Sequence, residues 1–256
     1  MLGVKLFVHT WNLIFRNLGD ALKISVVPGL VFAAVYVFIA MSAIGGLGVV
    51  TGGGDTGSVG GAILLAILGF VVAILIMSLI AVSWHRYVLL NEKPNGYIPA
   101  QPMGRLWSYI GRVIMLILAL LVIIIPVYFV AFFILSGIIQ ATNSIVLATV
   151  MFGLLSLLFS YISMRFSLVL PSNALGNNMG IWESWAATKK VAGPLFVTVF
   201  ILVLVNFVMA YISESIPIEI VSIVAIIIVQ WVTMMLGIGI LTTLYGYCVE
   251  GRDLPA

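Results

Sequence analysis

Read from the N-terminus, the chain alternates between short segments of mixed polarity and long stretches with no charge at all. The uncharged stretches run from Ile24 to Ala43, Ala62 to Ser83, Val113 to Ser136, Ser144 to Met164, Pro194 to Ile212 and Ile220 to about Tyr247. Each reaches or nearly reaches the ~20 residues an α-helix needs to cross about 30 Å of hydrocarbon. The last is longer, which predicts tilting or projection beyond the lipid. Backbone polar groups facing lipid must be satisfied within the protein, so only helices and closed barrels span a bilayer. The apolar runs are continuous and do not alternate in segments of about ten residues, which rules against a barrel. The pattern predicts an all-α membrane protein with six spans.

The mixed segments carry a second pattern. Val4, Phe7, Val8, Trp11, Ile14, Phe15 and Leu18 recur at the spacing of one helix face, with Lys5, His9, Asn12, Arg16 and Asn17 on the other. Met103, Leu106, Trp107, Ile110 and Ile114 repeat the arrangement before the third span, opposite Arg105, Ser108 and Arg112. Ile181, Trp182, Trp185 and Ala186 form a shorter version before the fifth, opposite Glu183, Ser184, Thr188 and Lys190. An apolar face bearing tryptophan beside positive charge is the pattern of a helix lying in the membrane interface.

Composition and charge sharpen this picture. Of 256 residues 63% are hydrophobic and 7% charged, against roughly 25% charged in a soluble domain. Mean hydropathy is +1.29. Lys5, Arg16 and Lys23 precede the first span. Arg86, Lys93, Arg105 and Arg112 lie between the second and third, Arg165, Lys189 and Lys190 between the fourth and fifth, and Arg252 after the sixth. The other three connections hold only Asp55, Glu214 and Glu219. Basic residues gather in cytoplasmic segments, so both termini are expected in the cytoplasm. The N-terminus has no continuous apolar core of a cleavable signal peptide, because Lys5, His9, Asn12 and Arg16 interrupt it. The one cysteine, Cys248, excludes an internal disulfide.

The even-numbered spans end alike: Trp84-His85-Arg86-Tyr87, then Met164-Arg165-Phe166, then Tyr245-Gly246-Tyr247. Arg86 and Arg165 are 79 residues apart, and Arg165 and Gly246 are 81. The third copy lacks the arginine, although Arg252 is near. Three repeats follow, over residues 1–98, 99–176 and 177–256: interfacial helix, span, outer connection, span. All start and end on one side, so their axis would run along the membrane normal.

The stretch AVSWHRYVLLNE and the stretch RFSLVLPSNALGNNMGIWESWAATKK resemble bacterial six-helix membrane proteins akin to the membrane domain associated with glycerophosphoryl diester phosphodiesterases. Trp84, His85, Arg86, Tyr87, Arg165, Phe166, Leu170, Pro171, Ser184, Trp185 and Thr188 carry the likeness. It implies a six-helix protein of a bacterial inner membrane and no particular activity. The phosphodiesterase itself is a separate soluble domain for which this chain has no room.

Candidate chemistry is sparse. His9 and His85 have no second ligand at helical spacing, so no metal or other cofactor is expected. Ser83 lies near His85 in sequence, but helix positions two apart do not face each other, and no catalytic residue is expected. A membrane enzyme would have to recruit Glu92, His85 or Glu183 at the rim. Nine glycines and Asp55 between Gly45 and Gly61 read as a flexible connector. Gly153, Ser156, Ser160 and Ser163 form a small-residue stripe for helix packing, as do Gly237 and Gly239. No span has an ionisable residue near its centre, which disfavours ion coupling. Tyr128, Asn206 and Gln230 are candidates to line a path.

The expected function is non-enzymatic: a lipid-interacting or accessory inner-membrane protein. Its headgroup collar comprises Trp11, Arg16, Trp84, His85, Arg86, Trp107, Arg112, Arg165, Trp185 and Lys189. The expected partners are membrane lipids with anionic headgroups, and a membrane-protein partner or second copy, without nucleic acid. The alternative is a small transporter or channel for a neutral or amphiphilic solute.

Overall fold

A computed structural model describes residues 1–51, 56–99, 101–142 and 144–254. Among them every regular element is helical: α1 (Leu2–Arg16), α2 (Leu18–Thr51), α3 (Thr56–Leu90), α4 (Met103–Thr142), α5 (Ile145–Phe166), α6 (Val169–Leu175), α7 (Ile181–Ala187), α8 (Ala192–Glu214) and α9 (Glu219–Cys248), with a 3-10 turn at Lys189–Val191. Six helices are long and apolar enough to cross a membrane: α2, α3, α4, α5, α8 and α9. The chain divides into a unit of Met1–Arg16 with Gly111–Ala256 and a unit of Asn17–Ile110.

The helices run further than the polarity pattern predicts. The expected connector Gly45–Gly61 is largely helical, since α2 continues to Thr51 and α3 begins at Thr56. Residues 52–55, with Asp55, lie outside the described residues. The amphipathic segment before the third span is also not a separate helix. It forms the first turns of the 40-residue α4.

In the Asn17–Ile110 unit, α2 and α3 pack as an antiparallel hairpin. Its core sits at the end bearing Arg86 and holds Ala21, Ile24, Ile80, Val82 and Trp84. Toward the other end Leu30, Phe38, Ile63, Leu64 and Ile67 point outward, as hydrocarbon-facing residues do.

In the other unit α1 packs on both α8 and α9. Gly3 permits the first contact, because a Cβ there would strike the Pro194 carbonyl oxygen and lie 2.9 Å from Val197 Cβ. The Gly3 carbonyl accepts a hydrogen bond from Thr198 Oγ1 at 2.9 Å. Gly239 permits the second, with Thr10 Cγ2 only 2.7 Å from where its Cβ would be. Thr10 Oγ1 and Thr243 Oγ1 are 3.0 Å apart. Gly237, expected to serve the same purpose, faces open space.

Two helix ends close alike. Asn91 (φ 57°) follows α3 and Gly251 (φ 68°) follows α9, both left-handed. The next N–H turns back, from Glu92 to the Arg86 carbonyl at 3.4 Å and from Arg252 to the Gly246 carbonyl at 2.9 Å. Asparagine and glycine tolerate this conformation where bulkier residues do not. The chain after α5 instead breaks at Ser167 and resumes as α6. Buried Ser184 satisfies the freed backbone: its Oγ donates to the Arg165 carbonyl at 2.7 Å and accepts from Leu168 N at 3.1 Å.

Candidate functional site

The collar residues divide by environment. On α1 three stripes run along the helix. Gly3, Leu6, Phe7, Thr10 and Ile14 are buried. Val4, Val8 and Phe15 are exposed, and Trp11, 4.4 Å from Phe15 between ring centroids, continues their stripe. Lys5, His9, Asn12 and Arg16 form the polar stripe. The sequence pattern merged the first two, because Phe7 and Ile14 fit either one at helical spacing. Desolvation holds the His9 pKa below its ordinary range.

Trp84 and His85 correct the sequence expectation. Both are 0% exposed, so neither side chain meets a headgroup. His85 Nε2 lies 3.4 Å from the Tyr109 hydroxyl, itself buried on α4. The Trp84 ring rests 5.5 Å from that of Tyr87, whose hydroxyl reaches Asp20 Oδ2 and Asn17 Oδ1, each at 3.1 Å. Periodicity did not reveal this interior, because aromatic residues at a span end have the same spacing whether they face lipid or a neighbouring helix.

The arginines are also engaged. Arg86 donates from Nε to Glu92 Oε2 at 2.8 Å and pairs through Nη2 with Oε1. Arg112 donates to Asn178 Oδ1 and lies 3.8 Å from Met115 Sδ. Arg165 is 7% exposed, with its guanidinium 3.5 Å from the Trp185 ring centroid. It donates to Thr188 Oγ1 at 3.1 Å and to the Trp185 carbonyl at 2.9 Å. Trp185 stacks on Phe166 at 5.0 Å. Arg165 therefore clamps α7 to the end of α5, and no carboxylate lies within 4.0 Å of it among the described residues.

Of the collar cations Arg16 and Lys189 remain exposed, as do Lys5 and Lys190 beside them, and of the tryptophans Trp107 and Trp182 are exposed. Sequence reasoning placed Trp182 on its helix face but left it out of the collar, although it is 77% exposed.

Compared with known protein families, curated proteins and solved structures, the chain matches none.

The three path candidates do not share one environment. Asn206 donates to Thr233 Oγ1 at 2.8 Å, tying α8 to α9. Gln230 is exposed. Tyr128 meets Phe152 edge-on at 6.0 Å and lines a cavity of about 580 Å³ between α4 and α5, with Phe132, Ser136, Thr149 and Leu155. A second cavity of about 610 Å³ lies in the other unit, under the segment that follows α3. Among the described residues no three metal-ligating side chains cluster.

Proposed function

We propose that this is a non-enzymatic inner-membrane protein that interacts with lipids or serves as an accessory subunit, with both termini cytoplasmic. The observation that carries the reading is the division of α1 into three faces. With one stripe docked on α8 and α9, the helix still presents Val4, Val8, Trp11 and Phe15 beside Lys5, His9, Asn12 and Arg16. An apolar tryptophan face next to a basic one suits the boundary between acyl chains and anionic headgroups. Exposed Trp182, Lys189 and Lys190 add the same chemistry beside α7.

A threefold repeat is part of the proposal. Its support is that each amphipathic segment contacts the end of an even-numbered span: Tyr109 of α4 at His85 of α3, α7 at Arg165 of α5, and α1 at Thr243 of α9. The matched closures after α3 and α9, 160 residues apart, support it too.

The test is native mass spectrometry of protein extracted gently from its own membrane. Wild type is expected to retain anionic phospholipid at fixed stoichiometry. Replacing Lys5, Arg16, Lys189 and Lys190 together by glutamine is expected to abolish the preference, at about 1 kcal/mol per juxtamembrane charge. An unchanged lipid complement refutes the collar.

The cavity at Tyr128 favours a second reading, passage of a neutral amphiphile. Labelling of a Tyr128→Cys variant by a water-soluble thiol reagent supports a path, and protection removes it.

A further inference from the structure

The segment 91–102 links α3 to α4, and its described residues have no regular structure. Pro94, Pro99 and Pro102 restrict its backbone. With the end of the α2–α3 hairpin it lines an open pocket of about 610 Å³, formed by Ile24 and Ser83 together with residues 92–99 and Gln101. That volume falls within the range of about 300–1,000 Å³ typical of small-molecule sites.

The lining holds one acid, Glu92, and one base, Lys93. The carboxylate of Glu92 is taken by Arg86. Asp20, the acid whose charge reaches Lys93, is held by Lys23 at 3.1 Å and by Tyr87. Lys93 itself has no ion pair within 4.0 Å among the described residues. Asn95 and Tyr97 add an amide and a hydroxyl, and Gln101 is anchored by donating to Ser83 Oγ at 3.4 Å. Ile24, Pro94, Ile98 and Pro99 supply apolar walls. With both nearby carboxylates paired to other cations, Lys93 beside these neutral groups matches an anion with several oxygens, and the apolar walls match an organic substituent on it.

We infer that this cavity binds an anionic phosphate ester, with Lys93 as its counter-ion and Asn95 and Tyr97 as additional donors. The inference does not depend on the collar, whose surface cations lie on α1 and beside α7. A phospholipid headgroup and a soluble organic phosphate share the chemistry, and the test separates them.

The full-length protein is placed in neutral phosphatidylcholine nanodiscs and titrated with inorganic phosphate and with phenyl phosphate, following thermal stability. In parallel, native mass spectrometry measures retention of phosphatidylglycerol from mixed nanodiscs. Saturable stabilisation by phenyl phosphate, weakened about tenfold or more by Lys93→Gln, assigns a soluble ester. Phosphatidylglycerol retention lost in Lys93→Gln and kept in Lys189→Gln/Lys190→Gln assigns a headgroup. Tyr97→Phe, which removes one hydroxyl at an exposed position, is expected to weaken whichever ligand binds by a few-fold. Binding that is absent, unaffected by both site variants, or equally reduced by the Lys189/Lys190 variant overturns the inference. A lipid complement unchanged by the collar substitutions, with an intact Lys93 effect, rejects the collar alone.

Discussion

Arg165 is the residue whose role changed most between pattern and packing. By its spacing it belongs to a row of headgroup-facing cations. In the fold its guanidinium lies over Trp185 and bonds Thr188 and the Trp185 carbonyl, so its charge holds protein to protein. Replacing it by alanine is expected to cost about 2–4 kcal/mol, from the lost charge-assisted hydrogen bonds and cation–π contact. Arg165→Lys is expected to recover only part, because an ammonium has no planar fork to reach both acceptors. Equilibrium denaturation in a fixed detergent reads both effects. His9 gives a pH signature of its own. Its folded pKa is depressed below 6.5 by desolvation, so the folded state resists protonation more than the unfolded one does. The stability it supports is fully present above about pH 6.5 and is lost as pH falls through the folded value. Melting temperature measured from pH 7.5 downward is expected to fall less in His9→Gln than in wild type.

At the scale of elements, two neighbouring glycines on α9 separate packing from composition. A Cβ at Gly239 would lie 2.7 Å from Thr10 Cγ2 and 3.3 Å from Ile14 Cδ1, whereas one at Gly237 meets nothing within 4 Å. Gly239→Ala is expected to push α1 off α9 and cost about 1–3 kcal/mol. Gly237→Ala is expected to be neutral or slightly stabilising. Denaturation of the two variants under identical conditions checks the contrast, and equal effects would mean that α1 does not dock closely here. Both glycines fit the small-residue rule in sequence. Only the direction of the facing helix distinguishes them. On α5, Gly153 of the expected small-residue stripe is exposed with nothing near it, and it is Tyr161, outside that stripe, that meets Phe196 of α8 edge-on at 5.6 Å.

At the scale of the whole molecule, the testable statement is topology. With Cys248 replaced by alanine, single cysteines at Gly96 and at Ser215 are expected to react with an impermeant reagent from opposite sides. Gly96, between α3 and α4, is expected to be cytoplasmic, and Ser215, between α8 and α9, external. Labelling of both from one side would remove the six-span arrangement with both termini inside.

The sequence alone determined that the chain is helical and that six segments are long and apolar enough to span a membrane, because both follow from the length and continuity of apolar runs. It also located the amphipathic segments, since helical spacing is a local property. Tertiary structure decided which side chains at the span ends face inward. Trp84 and His85 became core, Arg86 and Arg165 became internal fastenings, and Tyr128, Asn206 and Gln230 went to separate surroundings. In a soluble protein polarity distinguishes inside from outside. In lipid both faces of a span are apolar, so the signal that assigns a face is largely missing until the helices are packed.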